Sequence, residues 1–113
     1  LLSRAKKAVI SIDDAGYSPP QPAEIPVLGT GTRSLLEMAI QTMRWGGFAS
    51  EHDHKIAKKL AYILTGGYAP TGTTGSEEHF LELEREAFVS LCGEPKTLER
   101  IQAILRTGRP LRN

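Results

Sequence analysis

From Thr32 onward the apolar residues recur at three- and four-residue intervals, and every such run is stopped by glycine. Leu35, Leu36, Ala39, Ile40 and Met43 precede Gly46-Gly47; Ile56, Ala57, Leu60, Ala61 and Leu64 precede Gly66-Gly67. Phe80, Leu83, Ala87, Phe88 and Leu91 precede Gly93, and Leu98, Ile101, Ile104 and Leu105 precede Gly108. That spacing sets one apolar face on a helix. Glycine just past the last periodic residue lets the helix end in a left-handed turn. The starts are marked too: Ser50 and Ser76 are N-cap residues, Glu51 and Asp53 are acids suited to a first turn, and Pro95 suits position N1. No segment sustains the apolar–polar alternation of a strand. The expected fold class is all-α, with short helices in two antiparallel hairpins, because the connections are only a few residues long.

Residues 1–10, LLSRAKKAVI, favour a helix that reads as already in progress at Leu1, so continuation of a longer protein is expected. Residues 13–29 contain four Pro and two Gly. Proline removes backbone donors and constrains the residue before it, which makes this an extended strap. Tyr17, Ile25, Val27 and Leu28 are its expected anchors. The organisation expected is therefore helix end and strap over 1–29, and a helical domain over 30–113. At 113 residues one domain is the prior, burying roughly 65% of its unfolded surface in a single modest core.

Charge and composition exclude more than they indicate. A net charge of +1 gives no general attraction to nucleic acid or membrane. No window of 18 apolar residues exists to cross a bilayer. The first residues do not read as a charged-then-apolar leader, and the one cysteine, Cys92, fits a reducing compartment; a cytoplasmic location is expected. The charge is uneven. Residues 76–86 carry five Glu against one Arg, whereas Arg106, Arg109 and Arg112 follow Arg100 with no acid among them.

Most chemical constellations dissolve on inspection. His52 and His54 lie about 200° apart around a helix and cannot share a metal, whose helical ligand pairs want four-residue spacing. With His79 they give no expected metal site. GTGT (29–32) and TGTTGS (71–76) lack the strand and the lysine of a phosphate loop and read as turns leading into helices. Glu78, Glu82 and Glu86 form a stripe expected to stay ionised, solvated or paired with arginines of a neighbouring helix. Cys92 beside Gly93 reads as a small apolar filler, since a helix C-terminus disfavours a thiolate. The arginines are the more interesting set, because guanidinium offers the bidentate donors that phosphate accepts.

Residues 81–113, LELEREAFVSLCGEPKTLERIQAILRTGRPLRN, resemble the C-terminal end of the enoyl-CoA hydratase (crotonase) superfamily. The elements that carry it are Glu84, Glu86, Ala87 and Phe88, then Thr97 through Leu105, then Arg109-Pro110. Together with GYSPPQPAEIPVLG and GGFASEHDHKIAKKLAYILTGG, they resemble one subgroup: long bacterial 3-hydroxyacyl-CoA dehydrogenases with a hydratase-like region after the dehydrogenase domains. The resemblance runs from about Ala5 to Asn113. It implies a parent β-oxidation enzyme that uses NAD and acyl-CoA. It implies for this stretch helices that cover the acyl-CoA site or pack against the remainder of the parent chain or a second subunit. No catalytic residue is expected here. Ile104 replaces the aromatic that commonly stacks on adenine, leaving Arg106 and Arg109 as the candidates for contact with CoA phosphate. The alternative from another class is a free-standing all-α interaction module.

Overall fold

The computed structural model describes all residues 1–113. In chain order it runs α1 (Leu2–Asp14), β1 (Glu24–Pro26), α2 (Gly29–Trp45), α3 (Glu51–Leu64), β2 (Thr74–Ser76), α4 (Glu77–Cys92) and α5 (Pro95–Thr107). The all-α class holds, and so do the serine caps and the proline start, whereas Gly93 ends α4 at φ -78° and not in the expected left-handed turn. The Ser50 hydroxyl accepts from the Asp53 amide while Asp53 accepts from the Ser50 amide, a reciprocal capping box that satisfies two orphan donors of α3. Ser76 caps α4 through the His79 amide, Pro95 opens α5, and Gly108 closes it at φ +67°.

Two helix boundaries move. α1 continues to Asp14, and α2 begins at Gly29 rather than Thr32. The strap also contributes a strand: β1 pairs antiparallel with β2, matching Glu24 to Ser76, Ile25 to Gly75 and Pro26 to Thr74. Three residues are too few to register as a period of two, so no sequence pattern announced this ladder.

The small sheet fixes where the strap meets the helices. The Val27 amide donates to the Thr73 carbonyl at 2.9 Å, and the Gly29 amide to the Thr65 carbonyl at 3.1 Å. Val27 is buried against Gly66, whose backbone sits at φ +81°. A Cβ there would lie 2.8 Å from a Val27 methyl, so both the backbone and the packing require glycine. Beside it Thr65 is wholly enclosed, its hydroxyl donating to the Ala61 carbonyl at 2.8 Å. Of the four expected anchors, Val27 is buried and Ile25 half-buried, while Tyr17 and Leu28 stay exposed.

The core is small. Its buried apolar residues are Val27, Ala61, Leu83 and Ala87, where the strap, α3 and α4 converge. Several residues expected to point inward do not: Leu35 and Met43 on α2, Leu60 and Leu64 on α3, Phe88 on α4, and Leu98, Ile104 and Leu105 on α5 are all exposed. On α2 the half-buried side is instead Arg33, Leu36, Glu37, Ile40 and Gln41. Periodicity shows which side of a helix is apolar, but a neighbouring helix must be there to cover it, and here α3 meets α2 off the centre of its stripe. α1 buries nothing. The accessible surface is 8734 Å², against about 6,100 Å² for a compact 12.3 kDa chain. The radius of gyration is 19.8 Å, where a compact domain of this length would have about 13 Å.

Candidate functional site

The two arginines singled out in the sequence do not converge on one point. Arg106 lies in the last turn of α5, exposed, its Nε donating back to the Gln102 carbonyl at 3.4 Å. Arg109 stands beyond Gly108, exposed, with its backbone amide on the Thr107 hydroxyl at 3.2 Å. Neither guanidinium is engaged by a carboxylate. Both are therefore free to meet an anion from outside the chain.

Arg112, the third member of the set, behaves differently. It donates to the Phe48 carbonyl and lies 3.8 Å from the Asp53 carboxylate. It belongs to a polar corner where the first turns of α3 and α5 meet. There Arg100 donates to Asp53 at 2.7 Å, to the Asn113 side-chain oxygen at 2.7 Å and to the Asn113 main-chain carbonyl at 3.1 Å. The Ser50 amide and the Arg100 guanidinium hold the Asp53 carboxyl at a pKa of about 2, well below its usual 3.8. His52, buried in the same corner, is hydrogen-bonded to the Thr97 hydroxyl at 2.9 Å. Burial first, and then the Arg100 charge, push its pKa down. Across the rim, Lys55 reaches Glu94 at 2.9 Å and keeps that carboxyl below its usual range.

In the sequence Asp53 stands out as a first-turn acid and as the residue between His52 and His54, and nothing there joins Arg100 or Asn113 to it. The one local signal was Ser50-x-x-Asp53, which specifies a cap but says nothing about a partner 47 residues away.

A second feature was equally hidden. Arg33 on α2 stands 5.7 Å from the ring centre of Tyr62 and 5.4 Å from that of Tyr68, and those two rings meet edge to face at 5.2 Å. They flank an open cavity of about 340 Å³ whose rim carries Glu37, Lys58, Lys59 and Glu86 over a floor of Leu83 and Ala87. Burial raises the Tyr62 pKa, with Tyr68 and Glu86 adding to the effect. Lys59 donates to Ser90 at 3.0 Å.

The remaining candidates take structural places. His79 donates to the Gly66 carbonyl at 3.2 Å, whereas His52 is bonded to Thr97. No three His, Cys, Asp or Glu side chains converge as a metal-binding group. Within the acidic stripe, Glu82 pairs with Arg85 of its own helix rather than with a neighbouring one. TGTTGS supplies β2 before it turns into α4, and Cys92 is half-buried. No helix is long and apolar enough to cross a membrane.

Over its whole length of 113 residues the chain is 47% identical to a protein of Bacillus subtilis (strain 168) named "Probable 3-hydroxyacyl-CoA dehydrogenase". It spans 14% of that relative's length. No family model matches the chain, and no solved structure does. The dehydrogenase part of the resemblance drawn from residues 81–113 and the segments before them agrees with the relative's name, which mentions no hydratase.

Proposed function

We propose that the chain is a helical, non-catalytic region of a 3-hydroxyacyl-CoA dehydrogenase-type β-oxidation enzyme, and that it packs against the rest of that enzyme and covers its acyl-CoA site. The observation that carries this is the uncovered apolar surface. The excess over a compact chain, about 2,600 Å², is the scale of an obligate interface. Large apolar side chains stand exposed on all five helices, among them Leu2 on α1, Leu35 on α2, Leu64 on α3, Phe88 on α4 and Leu105 on α5, so the partner surface is broad rather than a single groove. A free-standing interaction module, the rival reading, would bury its own stripes and be compact, which a 19.8 Å radius of gyration disfavours. NAD and the reacting groups would belong to the remainder of the enzyme, since nothing in this stretch supplies a strand–turn–helix with the glycine pattern for a dinucleotide.

The natural protein, captured from cells through this segment, is expected to have an intact mass several times 12.3 kDa. A mass near 12.3 kDa would remove the enzyme reading and leave the interaction module. Within the enzyme, Arg106 and Arg109 are the groups that would meet the CoA phosphates, a reading supported by their exposure and their lack of carboxylate partners. The double variant Arg106→Glu/Arg109→Glu should raise the KM for acyl-CoA by about tenfold, the effect of roughly 1.4 kcal/mol of binding, with kcat nearly constant. An unchanged KM would remove both residues from the site.

A further inference from the structure

We propose that residues Gly108–Asn113 form a latch that holds α5 against the first turn of α3, so that α5 is a docked arm whose position depends on Arg112 and Asn113. α5 has little apolar hold of its own: Leu98, Ile104 and Leu105 are exposed, and its one buried residue is Thr97, bonded to His52. What fastens it is polar: Thr97 bonds to His52, Arg100 reaches Asp53 and Ser50, and the segment that follows α5 holds Arg100 and the turn before α3.

The geometry explains how six residues manage this. Gly108 adopts φ +67°, a left-handed conformation that turns the chain back along the helix it has just left. From Thr107 back to Glu99 is about 12 Å at the rise of an α-helix, and five further residues of extended chain reach about 17 Å. Asn113 thus arrives level with the first two turns of α5. Its side-chain amide donates to the Lys96 carbonyl at 3.1 Å and to the Glu99 carboxylate at 2.8 Å. Its two oxygens take the Arg100 Nε and Nη2 at 2.7 and 3.1 Å. With those two donors occupied, Arg100 has its Nη1 aimed at Asp53 on α3, at 2.7 Å. One residue earlier, Arg112 spans to the Phe48 carbonyl in the turn between α2 and α3. The segment therefore bridges three parts of the chain that make few apolar contacts with one another. Its asparagine satisfies donors and acceptors together, which neither a carboxylate nor an aliphatic side chain could do. Because the contacts are polar and half-exposed, the latch can open without exposing the buried core around Leu83 and Ala87.

The test is amide hydrogen exchange, followed by mass spectrometry on the natural full-length protein carrying Arg112→Met/Asn113→Gly or Asn113→Gly alone. Exchange in the peptide covering residues 95–107 should accelerate at least tenfold in the double variant and severalfold in the single one. Peptides covering 29–45 and 77–92 should keep the wild-type rate. An α5 peptide that exchanges at the wild-type rate overturns the latch, and so does acceleration of equal size in all three peptides. Should the double variant aggregate, the single substitution, which keeps the main-chain carbonyl, is read by the same criteria.

Discussion

Replacing Arg100 with methionine should destabilise the 113-residue chain by about 2 kcal/mol, between the cost of losing an exposed ion pair and that of removing one partner of a buried one. The side chain is 19% exposed and Asp53 28%, so water can partly compensate for the loss, which keeps the effect from being larger. What remains behind is a carboxylate with one charged partner gone and an Asn113 with two acceptors unfilled. The pH dependence distinguishes this mechanism from lost packing. Asp53 has a folded pKa of about 2 against 3.8 unfolded, so its contribution is complete above 3.8 and fades as pH falls through 2. Arg100→Met should flatten that acid limb without abolishing it, because the Ser50 amide, the larger cause of the shift, is untouched. Urea unfolding at neutral pH and at pH 3, followed by circular dichroism, measures both. A variant that loses stability with the wild-type pH slope would assign the loss to packing instead.

Leu83→Ala should cost somewhat more, about 3 kcal/mol, for a different reason. Leu83 is one of the few buried apolar residues, its methyls wedged against Gly67 and Tyr62. Gly67 is held at φ +69° and Val27 is held by the strap, so the surroundings have little freedom to close over the gap. Leu105→Ala is the useful contrast. At 80% exposure it should change the unfolding of the isolated chain by no more than about 0.5 kcal/mol. A large effect of Leu105→Ala in the isolated chain, or none of Leu83→Ala, would mean that the core lies elsewhere.

The two substitutions also mark how far a linear reading extends. Leu83 was assigned to an inward face from its spacing with Phe80 and Ala87, and it is buried. Leu105 was assigned inward on the same grounds and is exposed. Both sit on apolar stripes, and only one stripe has a neighbour to cover it. The capping serines, the Pro95 start and the Gly108 stop were all legible because each acts within one turn of helix, where neighbours in sequence are neighbours in space. The β1–β2 ladder joins Glu24 to Ser76, and Arg100 reaches Asp53 and Asn113; no local pattern carries either pairing.

The helices, most of their ends and an apolar stripe on each were legible in the sequence, since propensity, capping and periodicity are short-range effects. It also carried the likeness to a protein named as a probable 3-hydroxyacyl-CoA dehydrogenase, 47% identical over all 113 residues. Only the tertiary structure decided that the strap becomes a strand, that α2 turns a polar edge toward α3, and that a segment after α5 folds back to secure it. Those outcomes depend on which surfaces meet. Burial and long-range ion pairs are properties of two partners, and a sequence specifies one partner at a time.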